Sequence, residues 1–215
     1  MTDAPAPYHR QDLEAQLLAC AFEMIRAGGV EALSLRELGR TANVSRAAPY
    51  HYFPTKQALL QRIGEIGFER LAEAIEASLG SQTDPMARAL AGFGAYLAFA
   101  RSEPAIFQLM FANRLARTEA DSEPITEGFP FSSGAARRAF RLLAEEAGHL
   151  PDMSDRAPAE QLARAHILWA YAHGVAMLAI GENLKGSEPE NLLEKGLCLL
   201  LGDLRPAAPA ASAGR

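Results

Sequence analysis

Residues 34–60 read SLRELGRTANVSRAAPYHYFPTKQALL, and this stretch decides the fold. Ser34 followed by Glu37 predicts a capping box: the serine oxygen accepts from the Glu37 backbone N–H, and the Glu37 side chain reaches back to the Ser34 N–H. Leu33 and Leu38 hold the staple positions around it. Leu35, Leu38 and Ala42 keep helical spacing up to Asn43, one of the few non-glycine residues that tolerates positive φ, so a sharp turn is expected there, closed by Val44. Ser45 is a second N-cap candidate, which predicts a short helix over residues 46–52 that ends at Phe53-Pro54. Thr55 then caps a third helix. Two short helices around a tight turn form the helix-turn-helix pattern, whose second helix is presented to a major groove.

The run VSRAAPYHYFPTKQALL, residues 44–60, resembles the recognition helix and following helix of the TetR family of one-component bacterial transcription regulators. That family's usual pattern is a Gly-Val-Ser turn, a Tyr-x-His/Tyr-Phe element, then Ser/Thr-Lys-Glu and a leucine-rich helix. The resemblance covers about residues 10–75. Here Asn43 stands where glycine is usual, Gln57 where glutamate is usual and Pro49 where a bulky apolar residue is usual. Counted from a Ser45 cap, Pro49 removes the first intrahelical hydrogen bond and disfavours α geometry at Ala48, which predicts a loosened or 3₁₀-like first turn on a helix that still forms.

The chain has 215 residues, 49% of them hydrophobic, ample for a core. Its formal net charge is −5, yet between residues 34 and 62 Arg36, Arg40, Arg46, Lys56 and Arg62 face the single acid Glu37. A small basic face on an acidic body fits a DNA reader joined to a separate regulatory domain. The two cysteines, Cys20 and Cys198, lie far apart on apolar helical faces and are expected as buried thiols in a reducing compartment, with no metal or redox role. The opening MTDAPAPYHR lacks the apolar stretch of a secretory signal, so a cytoplasmic location is expected. The apolar run at residues 167–180 contains His173 and is shorter than the roughly 20 residues of a membrane span, so it predicts a buried helix and no membrane partner.

Periodicity places helices at residues 11–27, stopped by a left-handed glycine cap at Gly28-Gly29, and at residues 56–79, stopped by Gly80. Further helices are expected at residues 86–100, 105–115 (with Ser102 as cap and Pro104 in the first turn), 132–147, 159–181 and 189–204. Residues 117–131, RTEADSEPITEGFPF, read as a loop. No strand pattern appears, so the expected class is all-α: an N-terminal three-helix helix-turn-helix DNA-binding domain plus a C-terminal helical ligand-binding and dimerisation domain. The boundaries expected are a flexible arm at 1–9, the DNA-binding domain at 10–56, a connecting helix at 57–80, the effector and dimer domain at 81–204, and a disordered tail at 205–215.

The C-terminal half resembles something narrower. FARSEPAIFQLMF, residues 99–111, followed by Trp169, His173 and Gly174, is similar to the regulatory domain of the TetR subgroup named WHG for those three residue types. The resemblance implies a homodimer in which the last two helices of each chain form a four-helix bundle, with a small-effector cavity enclosed by the helices before them.

Matching to the family motif implies that Ser34, Arg36, Tyr50, Tyr52 and Lys56 hold phosphates of a double-stranded DNA operator. Arg46, Ala47 and His51 then face bases or the groove wall, with Ser45 at the head of that helix. Arg46 is the expected base reader, because its guanidinium can bond two acceptors of one guanine. Against this stands the alternative that Tyr50 and Tyr52 are packing residues in a unit that never touches DNA. Trp169 and His173 lie one helical turn apart and share a face. They are expected either to contact an effector or, in the plainer account, to satisfy a core hydrogen bond while Gly174 lets two helices approach. Phe107, Met110, Phe111, Phe140 and Met177 join them as candidate cavity lining for a hydrophobic or aromatic effector, or as ordinary core. No phosphate loop, nucleophile elbow or metal-ligand cluster is present, so neither enzymatic activity nor a cofactor is expected. A dimeric helical carrier of a hydrophobic ligand without DNA binding is the competing class.

Overall fold

The structure, a computed structural model, describes residues 8–80, 82–112, 133–150 and 155–202. Among these there are nine α-helices and no strand: α1 (Tyr8–Gly28), α2 (Leu35–Thr41), α3 (Ala48–Tyr52), α4 (Lys56–Leu79), α5 (Pro85–Ser102), α6 (Pro104–Phe111), α7 (Gly134–Gly148), α8 (Pro158–Ile180) and α9 (Pro189–Gly202). A single 3₁₀ turn, Val30–Ala32, lies between α1 and α2. The all-α class is as the sequence predicts. The loop at 117–131, the tail at 205–215 and residues 1–7 of the expected arm lie outside the described residues, whereas residues 8 and 9 open α1.

The helices fall into two compact units. The first takes α1, the 3₁₀ turn, α2, α3, α4 as far as Glu69, and α6; the second takes α4 from Arg70, α5, α7 from Arg137, α8 and α9. The chain therefore passes into the second unit in the middle of α4 and returns at Glu103.

In the first unit, Leu17, Ala21 and Ile25 form one fully buried stripe of α1, and Leu38, Leu59 and Ile63 are equally buried. Each buried leucine or isoleucine contributes about 2 kcal/mol by leaving water. Glycine ends α1 as expected, but Gly29 adopts φ 70°, ψ −177° and not the left-handed helical geometry of a C-cap. That region is open essentially to glycine alone. The α4 helix begins where Thr55 Oγ1 accepts from the Ala58 N–H at 3.1 Å and stops at Gly80, φ 43°.

One expected cap of the regulatory helices is corrected. Ser102 does not cap α6: α5 runs through it, and its hydroxyl donates to the Phe99 carbonyl at 3.0 Å. The cap is Glu103, whose carbonyl accepts from the Phe107 N–H at 2.8 Å and whose side chain makes no cap bond. Serine hydroxyls compete in this way for the carbonyl of the preceding turn. The cysteines are corrected too: Cys20 is half-buried and Cys198 is exposed on α9.

In the second unit α5, α8 and α9 pack on one another. Arg88 of α5 holds Glu146 of α7 with two bonds of 2.8 and 2.7 Å, and Glu146 is buried. Such fork-on-fork pairing compensates the charge that burial would otherwise penalise. The Tyr171 hydroxyl donates to the Leu192 carbonyl at 2.6 Å across Gly196, where a Cβ would collide with the tyrosine ring and hydroxyl. On α8, Ile167, Ala170, Met177 and Leu178 are exposed, and a Cβ on Gly174 would meet nothing within 4 Å.

Candidate functional site

The helix-turn-helix is built from its caps outward. Ser34 Oγ accepts from the Glu37 N–H at 3.1 Å, as expected. The return bond of the capping box gives way to an ion pair, because the Glu37 carboxylate is gripped by Arg40 through Nε at 3.0 and 3.1 Å and through Nη2. That pairing holds Glu37 below, and Arg40 above, their ordinary pKa values. Asn43 takes φ 54° in the turn, and the Val44 N–H closes it on the Gly39 carbonyl at 3.0 Å.

The recognition helix starts later than the sequence predicts. Residues 46 and 47 form a turn in which the Ala48 N–H bonds the Ser45 carbonyl at 3.0 Å and the Tyr50 N–H bonds the Ala47 carbonyl at 3.1 Å, and the helix closes with the Phe53 N–H on the Pro49 carbonyl at 2.9 Å. Ser45 is therefore not the cap; Ala47 is, without a side-chain bond. The first turn is 3₁₀-like, as Pro49 predicts. Since the helix begins at Ala48, Pro49 occupies a first-turn position where its missing N–H leaves no helical acceptor unpaired.

Pro49 and Phe53 are buried, and a Cβ on Gly39 would sit 3.3 Å from Pro49 Cγ. Anchored on that side, the helix leaves Arg46, Ala47, Tyr50 and His51 exposed, with Ser34, Arg36 and Ser45 exposed beside them and Tyr50 at 50% of its full area. Tyr52 is half-buried, its ring 6.5 Å from Phe53. Lys56 is half-buried as well, and Nζ donates to the Val30 carbonyl at 2.8 Å, using one of its three donors. Among the described residues no hydrogen bond or ion pair engages Arg46.

The candidate effector residues divide between the two units. In the first, Phe107 and Met110 are buried, Phe111 meets Phe107 at 4.9 Å and the edge of Phe68 at 5.3 Å, and Met110 lies against Gly67. In the second, Phe140 packs edge-on to Trp169 at 5.8 Å and lies 4.9 Å from His166, while Trp169 and His173 are 5.6 Å apart. Met177 is 38% exposed and does not share their burial.

The residue that organises this second cluster is Tyr96. Its hydroxyl is 2.8 Å from His173 Nδ1. A phenol hydroxyl both donates and accepts, so it can pair with either neutral tautomer of the His173 ring. Burial raises the Tyr96 pKa far above its ordinary value and lowers that of His173, so both are neutral at pH 7. No motif in the sequence singles out Tyr96; a buried phenol needs a partner, and that need is the available signal.

Comparison with known proteins gives the same reading. Residues 17–63 match the family described as bacterial regulatory proteins, tetR family, and residues 87–200, more than half of the chain, match the tetracyclin repressor-like C-terminal domain. The chain belongs to the TetR family. A solved structure of a protein of unknown function from Rhodococcus sp. RHA1 is 29% identical, with a TM-score of 0.73 over 93% of this chain and 98% of that one. A tetR-family regulatory protein from Rhodococcus RHA1 shares the fold at 18% identity, with a TM-score of 0.62 over 88% and 95%. Nucleoid occlusion factor SlmA of Haemophilus influenzae is 29% identical over 106 residues, 49% of each chain, so this TetR-family chain spans about half the length of the curated relatives it matches. TetR-family regulators are DNA-binding transcriptional regulators. Among the described residues no helix is long and apolar enough to cross a membrane, and no group of three His, Cys, Asp or Glu could hold a metal.

Proposed function

We propose that the protein is a ligand-responsive repressor that leaves a pseudo-palindromic operator when a small hydrophobic effector binds. The observation that carries the DNA side is the exposed set of Arg46 and Ala47 in the turn before α3 with Tyr50 and His51 on α3, a helix pinned from beneath by Pro49 and Phe53. Arg46 reads a guanine edge; Ser34, Arg36, Tyr50, Tyr52 and Lys56 hold phosphates. The apolar α8 stripe of Ile167, Ala170, Gly174 and Leu178, together with Leu199 of α9 at 67% exposure, supports a homodimer. Two recognition helices then enter successive major grooves about one helical turn apart. The aromatic cluster around Phe140 and Trp169 supports an effector with an apolar body. An effector that prefers a dimer with the wrong head separation weakens DNA binding by the same factor.

Footprinting on the DNA upstream of the protein's own and neighbouring genes tests this. Protection of a palindromic site, lost on adding a member of a hydrophobic compound library, is the expected result. If no genomic fragment is bound even at low salt, the reading gives way to a helical carrier.

A further inference from the structure

We infer that Gly39 and Pro49 are a positioning pair: their close contact sets the height of α3 above α2, and with it the alignment of Arg46 and Ala47 on the bases. This rests on the DNA-binding reading above.

The α2 side of the contact is held firmly. The Ala42 N–H bonds the Leu38 carbonyl at 2.9 Å, the Asn43 N–H the Arg40 carbonyl at 3.1 Å, and the Val44 N–H the carbonyl of Gly39 itself at 3.0 Å. From α1 the Gln16 side-chain amide donates to the Ala42 carbonyl at 3.0 Å. Carbonyls that the end of α2 would leave over thus have donors. The bonds of the next segment close on itself, Ala48 on Ser45, Tyr50 on Ala47 and Phe53 on Pro49. Its distance from α2 is left to packing.

That packing is narrow at one point. Gly39 is buried, and the heavy atoms nearest to a Cβ built on it are Pro49 Cγ at 3.3 Å, the Ser45 carbonyl oxygen at 3.4 Å and Pro49 Cδ at 3.5 Å. All three belong to the recognition segment. None is the tip of a flexible side chain: two sit in the ring of buried Pro49 and one on the backbone. A methyl at position 39 must therefore displace the segment, by a few tenths of an ångström. Arg46 and Ala47 lie between the two residues pressed upon and move with them. A bidentate arginine–guanine pair discriminates roughly tenfold to a hundredfold between bases, and its fork depends on angle as well as distance. Arg36 on α2 and Lys56 on α4 are outside the displaced segment, so the phosphate contacts they supply are kept. By helix propensity alone alanine suits α2 better than glycine. What the glycine provides is room for the proline above it.

The test is binding of the full chain to the footprinted operator and to an unrelated duplex of equal length, at a temperature where circular dichroism shows the wild type folded. Gly39→Ala should lose about tenfold on the operator and change less than about twofold on the unrelated duplex. In a Pro49→Ala background, which lacks Cγ and Cδ, adding Gly39→Ala should cost less than about twofold. Arg46→Ala should cost less in Gly39→Ala than in the wild type, because both remove the same bonds. Gly39→Ala binding the operator like the wild type overturns the inference alone. So does equal loss on both duplexes, a full penalty in the Pro49→Ala background, or a Gly39→Ala protein unfolded at that temperature, since the methyl would then have broken the unit and not moved one helix. A wild type that binds neither duplex overturns the DNA-binding reading and the inference with it.

Discussion

Pro49 shows how one residue can be read rightly in kind and wrongly in cost. Sequence counting from Ser45 places it where it breaks a helical bond; the helix starts at Ala48 and the ring packs toward Gly39, so the proline does no harm. Pro49→Leu should therefore lower stability, by about 1–2 kcal/mol in urea unfolding, because leucine must fit where Cγ already meets α2 closely. Arg46→Ala should weaken operator binding about tenfold or more and relax base preference at one position of each half-site, as binding to randomised duplexes would report. His173 has a pH signature. Burial lowers its folded pKa below the unfolded value of 6.5, so between the two the unfolded chain binds a proton that the folded chain does not. Stability thus falls as pH drops through 6.5 and gains nothing from this group above it; urea unfolding at pH 5.5 and 7.5 should show a smaller acid loss for His173→Asn than for the wild type. Caps were legible where Ser34 and Thr55 stand before apolar helices, and illegible at Ser102, whose hydroxyl turns back on its own helix.

At the scale of elements, α4 was legible to the residue because an unbroken apolar stripe is bounded by a threonine cap and a glycine stop. The start of α3 was not, since a five-residue helix carries too little periodicity to outvote a serine that resembles a cap. Tight helix crossings were also hidden, as a glycine in a sequence does not say what approaches it. Two glycines separate the cases. Gly67→Ala must displace Met110, and the overpacking should exceed the gain in helix propensity, for a net loss of about 1 kcal/mol. Gly94→Ala in α5 meets nothing within 4 Å and should raise stability by up to about 1 kcal/mol in the same urea assay.

For the whole molecule, the uneven charge was the most useful sequence signal, and it leads to a quantitative expectation. If Arg36 and Lys56 of each protomer neutralise phosphates, four contacts per dimer give a slope of about −4 in log affinity against log salt; Lys56→Ala should lessen it by about 2. Leu178→Glu, on the exposed α8 stripe, should yield a folded monomer by analytical ultracentrifugation that no longer holds a palindromic site. What the sequence could not disclose is that the head is discontinuous. The association of α6 with α1 and α4 spans dozens of residues and leaves no periodic trace; it depends on Glu103 meeting Arg26 and on the space at Gly67. This bears on modular engineering. A chimera that exchanges DNA specificity between relatives by a single splice inside α4 would import a head without its own sixth helix, and the foreign Arg26 position would face a corner it never evolved with. A graft that carries residues 103–112 along with residues 8–69 is the transplantable unit.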